Sequence, residues 1–139
     1  MIFLTEADFN TRINQAILSQ ITGDDSTFLD NAEAMAIGVV KDMLSGNYDI
    51  VSEITNTGAD RHAPLVSWLL SLACYTLYSA IPDNEVPERI VKDYDDAMAT
   101  LHNIARGKQP TTLTSVTVDG VSKRVFRMGS NSARNHNLL

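Results

Sequence analysis

The sequence predicts a mainly α-helical fold, a small bundle of about four helices followed by a β-hairpin and an extended C-terminal arm. Apolar residues recur at helical spacing through most of residues 1–107. Farther along, β-branched residues flank Asp119-Gly120, a strong hairpin signal, and residues 129–139 have no apolar period. The predicted organisation is therefore a helical body (1–107), a hairpin (108–128) and an arm (129–139).

The first two helices are predicted from their caps and apolar periods. Thr5 and Asp8 have capping-box spacing, and helix one is expected from about Glu6 to Gln20. After the polar turn TGDDST, helix two runs to Gly46. Apolar residues at helical spacing place one face of each helix in the core: Phe9, Ile13, Ile17 and Ile21, then Phe28, Leu29, Ala32, Met35, Ala36, Val39, Val40, Met43 and Leu44.

The second half of the body contains the predicted core helix. The segment GNYDIVSEITNTGADRH predicts a loop with one short helical turn. From Pro64 to Ile81 nearly every residue is apolar, which requires neighbours on all sides, so Trp68 and Leu72 are expected inside. This segment is shorter than the roughly 20 residues that a bilayer requires, so no membrane partner is expected. Helix four runs from Pro87 to Arg106 and stops at Gly107.

Charge is divided unevenly along the chain. Residues 1–107 carry a net charge of −10 and residues 108–139 one of +4, which together give −6. An acidic body argues against duplex nucleic acid as the main partner, because phosphate binding needs clustered Lys and Arg. Cys74 is the only cysteine, so neither a disulfide nor a thiolate zinc cluster is expected. The start, MIFLTEADF, does not read as a signal peptide.

The stretch KDYDDAMATLH, residues 92–102, is the one candidate for metal or acid-base chemistry. Adjacent helix positions diverge by about 100°, so Asp95 and Asp96 cannot converge on one ion; only Asp93 and Asp96 are neighbours. A solvated ladder of ion pairs is therefore the favoured interpretation. Opposite charges are spaced for three such pairs: Glu88 with Lys92, Arg89 with Asp93, and Lys92 with Asp96.

Other catalytic signatures are missing from the sequence. It has no phosphate-binding glycine loop, paired-histidine helix, calcium loop or Gly-x-Ser-x-Gly turn. The histidines, at 62, 102 and 136, are far apart, and the aromatic residues have the spacing of core packing: Trp68, Tyr75, Tyr78 and Tyr94. We therefore expect no catalytic, cofactor-binding or metal-binding residues, no cofactor, and a protein that is not an enzyme.

Three segments occur in an order that makes the chain resemble the Mu-type phage head-to-tail connector (adaptor, or head completion) proteins: FLTEADF, VVKDMLSGNYDI and VPERIVKDYDDAMATLHNIARGKQ. The resemblance covers roughly residues 1–110. It implies a structural virion protein that forms a ring, expected to be a dodecamer, under the portal of a tailed bacteriophage. The implied partners are the portal protein and a tail-side neck or tail completion protein, with DNA only as cargo in the channel. The implied location is the virion neck, assembled in the host bacterial cytoplasm.

The basic C-terminal segment departs from the shorter family pattern and is the candidate interface. An isolated hairpin is marginal in water, so it is expected to lie against the helices or another chain. Whether the arm contacts a sibling subunit, the portal or the tail stays open. The candidate interface residues are Lys123, Arg124, Phe126, Arg127, Asn131, Arg134, Asn135 and His136.

Two other functions are compatible with the same residues. One is a small helical regulatory or adaptor protein of phage or bacterial origin that acts by protein-protein binding. The other is a small hydrolase that uses Asp93, Asp96 and His102 around a bound metal.

The ion-pair interpretation yields a first prediction. Replacing Asp95 and Asp96 together with Asn should leave particle assembly intact and change the free energy of unfolding by less than about 1 kcal/mol, because exposed ion pairs contribute little. Chemical denaturation and metal analysis of both proteins test this. A stoichiometric metal that is lost in the variant would contradict it.

Overall fold

The computed structural model describes residues 1–118 and 121–122. In this part the chain forms six α-helices, one 3₁₀ turn and two two-residue strands. The elements in chain order are α1 (Glu6–Asn10), α2 (Gln15–Thr22), α3 (Thr27–Leu44), α4 (Ile50–Glu53), the 3₁₀ turn (Gly58–Asp60), α5 (Ala63–Ser79), α6 (Glu88–Ala105), β1 (Thr117–Val118) and β2 (Val121–Ser122). The mainly helical fold is therefore confirmed.

Helix α5 is the centre of the core. It packs against α3 on one side and α6 on another, and α1 and α2 also contact it. Leu65, Leu69 and Cys74 are among the most buried side chains of the protein, and Leu72 is also buried. Trp68 is only partly buried, which corrects the expectation for that residue. Its ring lies 6.1 Å from that of His62, at the edge of the core where α5 begins.

Among the described residues, no helix is both long and apolar enough to span a bilayer.

The predicted single helix over residues 6–20 is wrong, because the chain forms two helices there. Helix α1 ends at Thr11, whose hydroxyl donates to the Asp8 carbonyl. Asn14 then starts α2, since its side-chain oxygen accepts a hydrogen bond from the Ala16 N–H at 2.9 Å. Between the helices, Arg12 donates to Ser71 of α5 and to Asp93 of α6. The break thus lets the turn between α1 and α2 bind both central helices.

The loop between α3 and α5 forms hydrogen bonds with residues 114–116. Tyr48 forms an antiparallel bridge with Ser115, and the Val116 N–H donates to the Asn47 carbonyl at 3.0 Å. The buried Glu53 carboxylate accepts hydrogen bonds from the N–H and the hydroxyl of Thr114. Residues 114–116 are therefore fixed at the end of the bundle where α3 stops.

The region of the predicted hairpin is described only in part. Strands β1 and β2 pair antiparallel, with Thr117 opposite Ser122 and Val118 opposite Val121. Residues 119–120 and 123–139 lie outside the described residues. The hairpin over 108–128 and the arm over 129–139 therefore stay predictions.

A buried carboxylate on α3 fixes the N-terminal segment. Glu33 is 2% exposed, and its two oxygens accept hydrogen bonds from the backbone N–H groups of Ile2, Phe3 and Leu4 at 2.7, 2.8 and 2.5 Å. This segment has no strand partner in the described part of the chain, so the one side chain satisfies three donors that would otherwise be buried or half-buried without acceptors. Phe3 and Leu4 are thereby placed in the core.

Glu33→Gln should lower the free energy of unfolding by about 2–4 kcal/mol, because an amide offers one acceptor atom and turns an NH₂ group toward backbone donors. Urea denaturation measures the change. The control is Asp42→Asn on the exposed side of the same helix, expected to fall within about 0.5 kcal/mol of wild type. Equal stability of the two variants would contradict a structural role for the Glu33 contacts.

Candidate interaction surfaces

The candidate interface residues from the sequence all lie outside the described residues, namely Lys123, Arg124, Phe126, Arg127, Asn131, Arg134, Asn135 and His136. Their assignment stays a prediction. The described body instead contributes an apolar surface, built partly from residues that helical periodicity assigns to the core.

One side of α3 is apolar and exposed. Phe28, Met35 and Val39 are 44%, 61% and 38% exposed, which corrects their assignment to the buried face. The apolar residues of this helix cover an arc of about 180°, at 100° per residue, whereas one packing face needs only about 100°. The three exposed residues lie together at one border of that arc. The width of the arc was the sequence signal for a second contact surface.

A cleft opens at the end of the bundle where α5 finishes, and we call it the end cleft. It has a volume of about 490 Å³. Ile17 of α2 is 42% exposed beside it, another correction to the predicted core. The end cleft is lined by Ile17, Gln20, Ile21, Phe28, Leu77, Tyr78, Ala80, Ile81, Pro82 and Asn84.

A second depression, the side groove, runs between α3, α5 and α6. It has a volume of about 440 Å³, and Ala80 lines both it and the end cleft. Tyr75 and Tyr94 stack in its wall with ring centroids 4.2 Å apart. The side groove is lined by Met35, Ala36, Val39, Leu72, Tyr75, Thr76, Ser79, Ala80 and Tyr94. The two depressions make one continuous apolar face, which is the kind of surface that binds another protein.

The elements around this apolar face are acidic. No Lys or Arg occurs between Arg12 and Lys41, or between Arg61 and Arg89. These two segments supply α2, most of α3, α5 and the connector after it, and they contain seven Asp or Glu residues. Asp83 and Glu85 flank the cleft residue Asn84 and are exposed, with no ion pair in the described part of the chain. A partner for this face would therefore combine apolar and basic groups.

The acidic stretch of α6 does not bring its carboxylates together. Lys92 pairs with Asp96 at 2.9 Å, as predicted, but Asp93 pairs with Arg12 at 3.2 Å. The predicted Arg89–Asp93 pair is wrong, because Arg89 donates instead to the Arg12 carbonyl at 2.7 Å. Within the described residues, Glu88 and Lys92 form no ion pair, which corrects the remaining predicted pair.

The histidines and the cysteine have separate environments. His102 is exposed, two turns beyond Asp95, and within the described chain no three His, Cys, Asp or Glu residues are placed to hold a metal. His62 caps α5 by accepting from the Leu65 N–H, and its other ring nitrogen lies 2.7 Å from the Thr112 hydroxyl. Burial lowers the pKa of His62, and the neutral ring is the form that can cap the helix. Burial raises the pKa of Cys74 to about 12, so it stays an unreactive thiol.

An ion pair between Asp8 and Arg61 joins α1 to the start of α5. The guanidinium donates to both carboxylate oxygens, at 2.6 and 3.2 Å, and to the Phe3 carbonyl at 3.0 Å. The same carboxylate caps α1 by accepting from the Thr5 N–H at 2.7 Å. Burial alone would raise the pKa of Asp8, but the hydrogen bonds from Arg61 and Thr5 outweigh it and lower that pKa.

Comparison with known proteins identifies the family of the chain. Residues 3–126 match the family model described as Bacteriophage Mu, Gp36. No curated protein and no solved structure matches the chain.

Asp8→Asn should destabilise the protein at neutral pH and much less in acid. Because the pKa of Asp8 is lower in the folded protein than its ordinary value of 3.8, its stabilising contribution is present above that value. It disappears as the pH falls through the lower folded pKa. Urea denaturation of wild type and variant, at neutral pH and in acid, should show the difference shrinking. Asp95→Asn, which removes an exposed carboxylate with no hydrogen-bond partner in the described part, should show little difference at either pH. A wild-type advantage that persists undiminished in strong acid would contradict this role.

Proposed function

This chain belongs to the bacteriophage Mu Gp36 family, and from that membership we propose that it is a structural protein of the virion neck. In this role it is a head-to-tail connector, an adaptor or head completion protein that forms a ring under the portal. The ring links the DNA-filled head to the tail. The proposed partners are the portal protein, a tail-side neck or tail completion protein, and further copies of the chain.

The observation that carries the proposal is the continuous apolar face formed by the end cleft and the side groove. A subunit of a ring needs at least one such surface for a neighbour. Met35, 61% exposed, lies on this face, and an exposed methionine adapts well to a protein partner. The proposed role requires no catalysis and no cofactor. The ion pairs and hydrogen bonds of Asp8, Asp93 and Asp96 have structural explanations.

The charge distribution supports a contact made by the basic C-terminal segment, of which the arm (129–139) carries one cation, Arg134. Residues 123–139 contain four Lys or Arg and no acid, whereas the body is acidic. Opposite charges across an interface steer association and fix its register. The contact should weaken as salt rises, since the Debye length falls from about 10 Å at 0.1 M to about 3 Å at 1 M.

Deleting residues 128–139 should leave a folded helical body and weaken its incorporation into heads. No buried residue of the described body is removed, so circular dichroism should be unchanged. Co-sedimentation with portal-containing heads lacking this protein measures incorporation, and heads without portal are the control. Equal binding by the full-length and truncated proteins would show that the arm is dispensable for docking.

Two point variants refine the same experiment. Arg134→Gln should reproduce part of the loss, whereas Arg106→Gln, an exposed cation at the end of α6, should bind heads as wild type does. A protein that binds no portal-containing heads, and that stays a monomer or dimer at all concentrations, would instead favour a helical regulatory protein.

A further inference from the structure

The end cleft has an apolar floor and acidic surroundings, and nothing in the described chain fills it. Phe28 and Ile17 are 44% and 42% exposed there. Asp83 and Glu85, which flank the lining residue Asn84 in the chain, have no cationic partner among the described residues. The ligand that suits it is therefore a short segment with large apolar side chains and several cations, and without acids.

One segment of this chain has that composition. Residues 123–128 read KRVFRM, with three cations, three apolar residues and no acid. Segments between Arg12 and Lys41 and between Arg61 and Arg89, which surround the cleft, have the opposite charge. Arg is also well suited to this contact, because its guanidinium binds carboxylates in a bidentate way.

The segment leaves the body at the end opposite to the end cleft. Val116 is bonded to Asn47, which follows directly on the end of α3, and Ser122 pairs with the neighbouring Thr117. The end cleft includes Phe28, at the start of α3. From Phe28 to Leu44 the helix axis covers about 24 Å, at 1.5 Å per residue.

This separation decides whether the end cleft can bind residues 123–128 of the same copy or only those of another copy. Ser122 lies within about 9 Å of the anchor at Val116, one residue step and one strand spacing away, and from Ser122 to Phe126 the chain spans at most about 14 Å, which gives a reach of about 23 Å. The same copy's Phe126 therefore falls short of its own end cleft when measured along α3. A second copy has no such limit, because the end of its body from which residues 123–128 leave can approach the end cleft of the first copy directly.

We propose that the end cleft of one copy binds residues 123–128 of a second copy, with Phe126 on the apolar floor and Arg124 and Arg127 beside Asp83 and Glu85. Since donor and acceptor surfaces lie at opposite ends of the protein, the association is head-to-tail and repeats from copy to copy. This inference deepens the proposed function by naming the contact between neighbouring subunits. It can be tested on the purified protein alone.

Sedimentation equilibrium of the full-length protein tests the cleft. Phe28→Lys should weaken self-association at least about tenfold, because it removes an apolar anchor and brings a like charge to the basic segment. Ile2→Lys is the matched control, with the same change of charge at a residue that is 68% exposed and lies on the side of α3 away from Phe28. It should associate as wild type does. Ile17→Lys supplies a second cleft variant, and circular dichroism confirms that each variant is folded.

Mixing two variants tests whether the contact joins different copies. Phe28→Lys keeps an intact basic segment, and Phe126→Ser keeps an intact cleft, so each alone should be monomeric. Their mixture should form heterodimers that do not grow further, because one productive contact remains in each pair.

Three outcomes would overturn the inference. They are cleft variants that associate like wild type, a mixture that forms no heterodimer, and a full-length protein that is monomeric at every concentration. Head binding is measured separately, by co-sedimentation with portal-containing heads. A protein that docks to heads but fails the mixing experiment keeps the proposed function and loses only this contact.

Discussion

The all-round apolar surface of α5 is the constraint on which the rest of the structure depends. A helix with no polar face is stable only inside a shell of other elements, and a chain of 139 residues has few elements to supply one. Helices α3 and α6 cover two sides, and α1 and α2 cover more. Each covering helix keeps an outer face. That of α6 carries Lys92, Asp95 and Asp96, whereas that of α3 carries Phe28, Met35 and Val39, so the two outer faces have different roles.

Buried carboxylates attach two non-helical segments to this helical core. Glu33 binds the backbone of residues 2–4, and Glu53 binds the backbone and hydroxyl of Thr114. In both cases one side chain does what a neighbouring strand would do in a sheet, since it satisfies N–H groups that have no ladder partner. A mainly helical protein can thereby fix two non-helical segments against its bundle without building a sheet across it.

The sequence predicts the long helices well because their periodicity and their stops are local properties. Helices α5 and α6 begin and end within two residues of the expected positions, and Gly46 and Gly107 follow α3 and α6 closely. It misses the break between α1 and α2, because the hydrogen bond that the Asn14 side chain accepts from the Ala16 N–H and the long-range contacts of Arg12 outweigh an unbroken apolar period. Spacing alone predicts an ion pair between Arg89 and Asp93, but Arg12, which is distant in the chain, forms the ion pair with that carboxylate. In the sequence, the exposed side of α3 is indicated only by an apolar arc that is too wide for one neighbouring helix to cover. Periodicity does not show which border of that arc stays uncovered.

The position of the single tryptophan marks one end of the protein spectroscopically. Trp68 lies beside His62, which caps α5 and contacts Thr112 on the segment leading to the C-terminal residues. Three tyrosines, by contrast, line the depressions of the apolar face: Tyr75, Tyr78 and Tyr94. Fluorescence excited selectively at the indole therefore reports on the end of the body from which the C-terminal residues leave. Tyrosine absorbance does not separate the two ends, because the fourth tyrosine, Tyr48, bridges to Ser115 at the end where α3 stops, so in an unlabelled sample the indole alone marks one end of the protein.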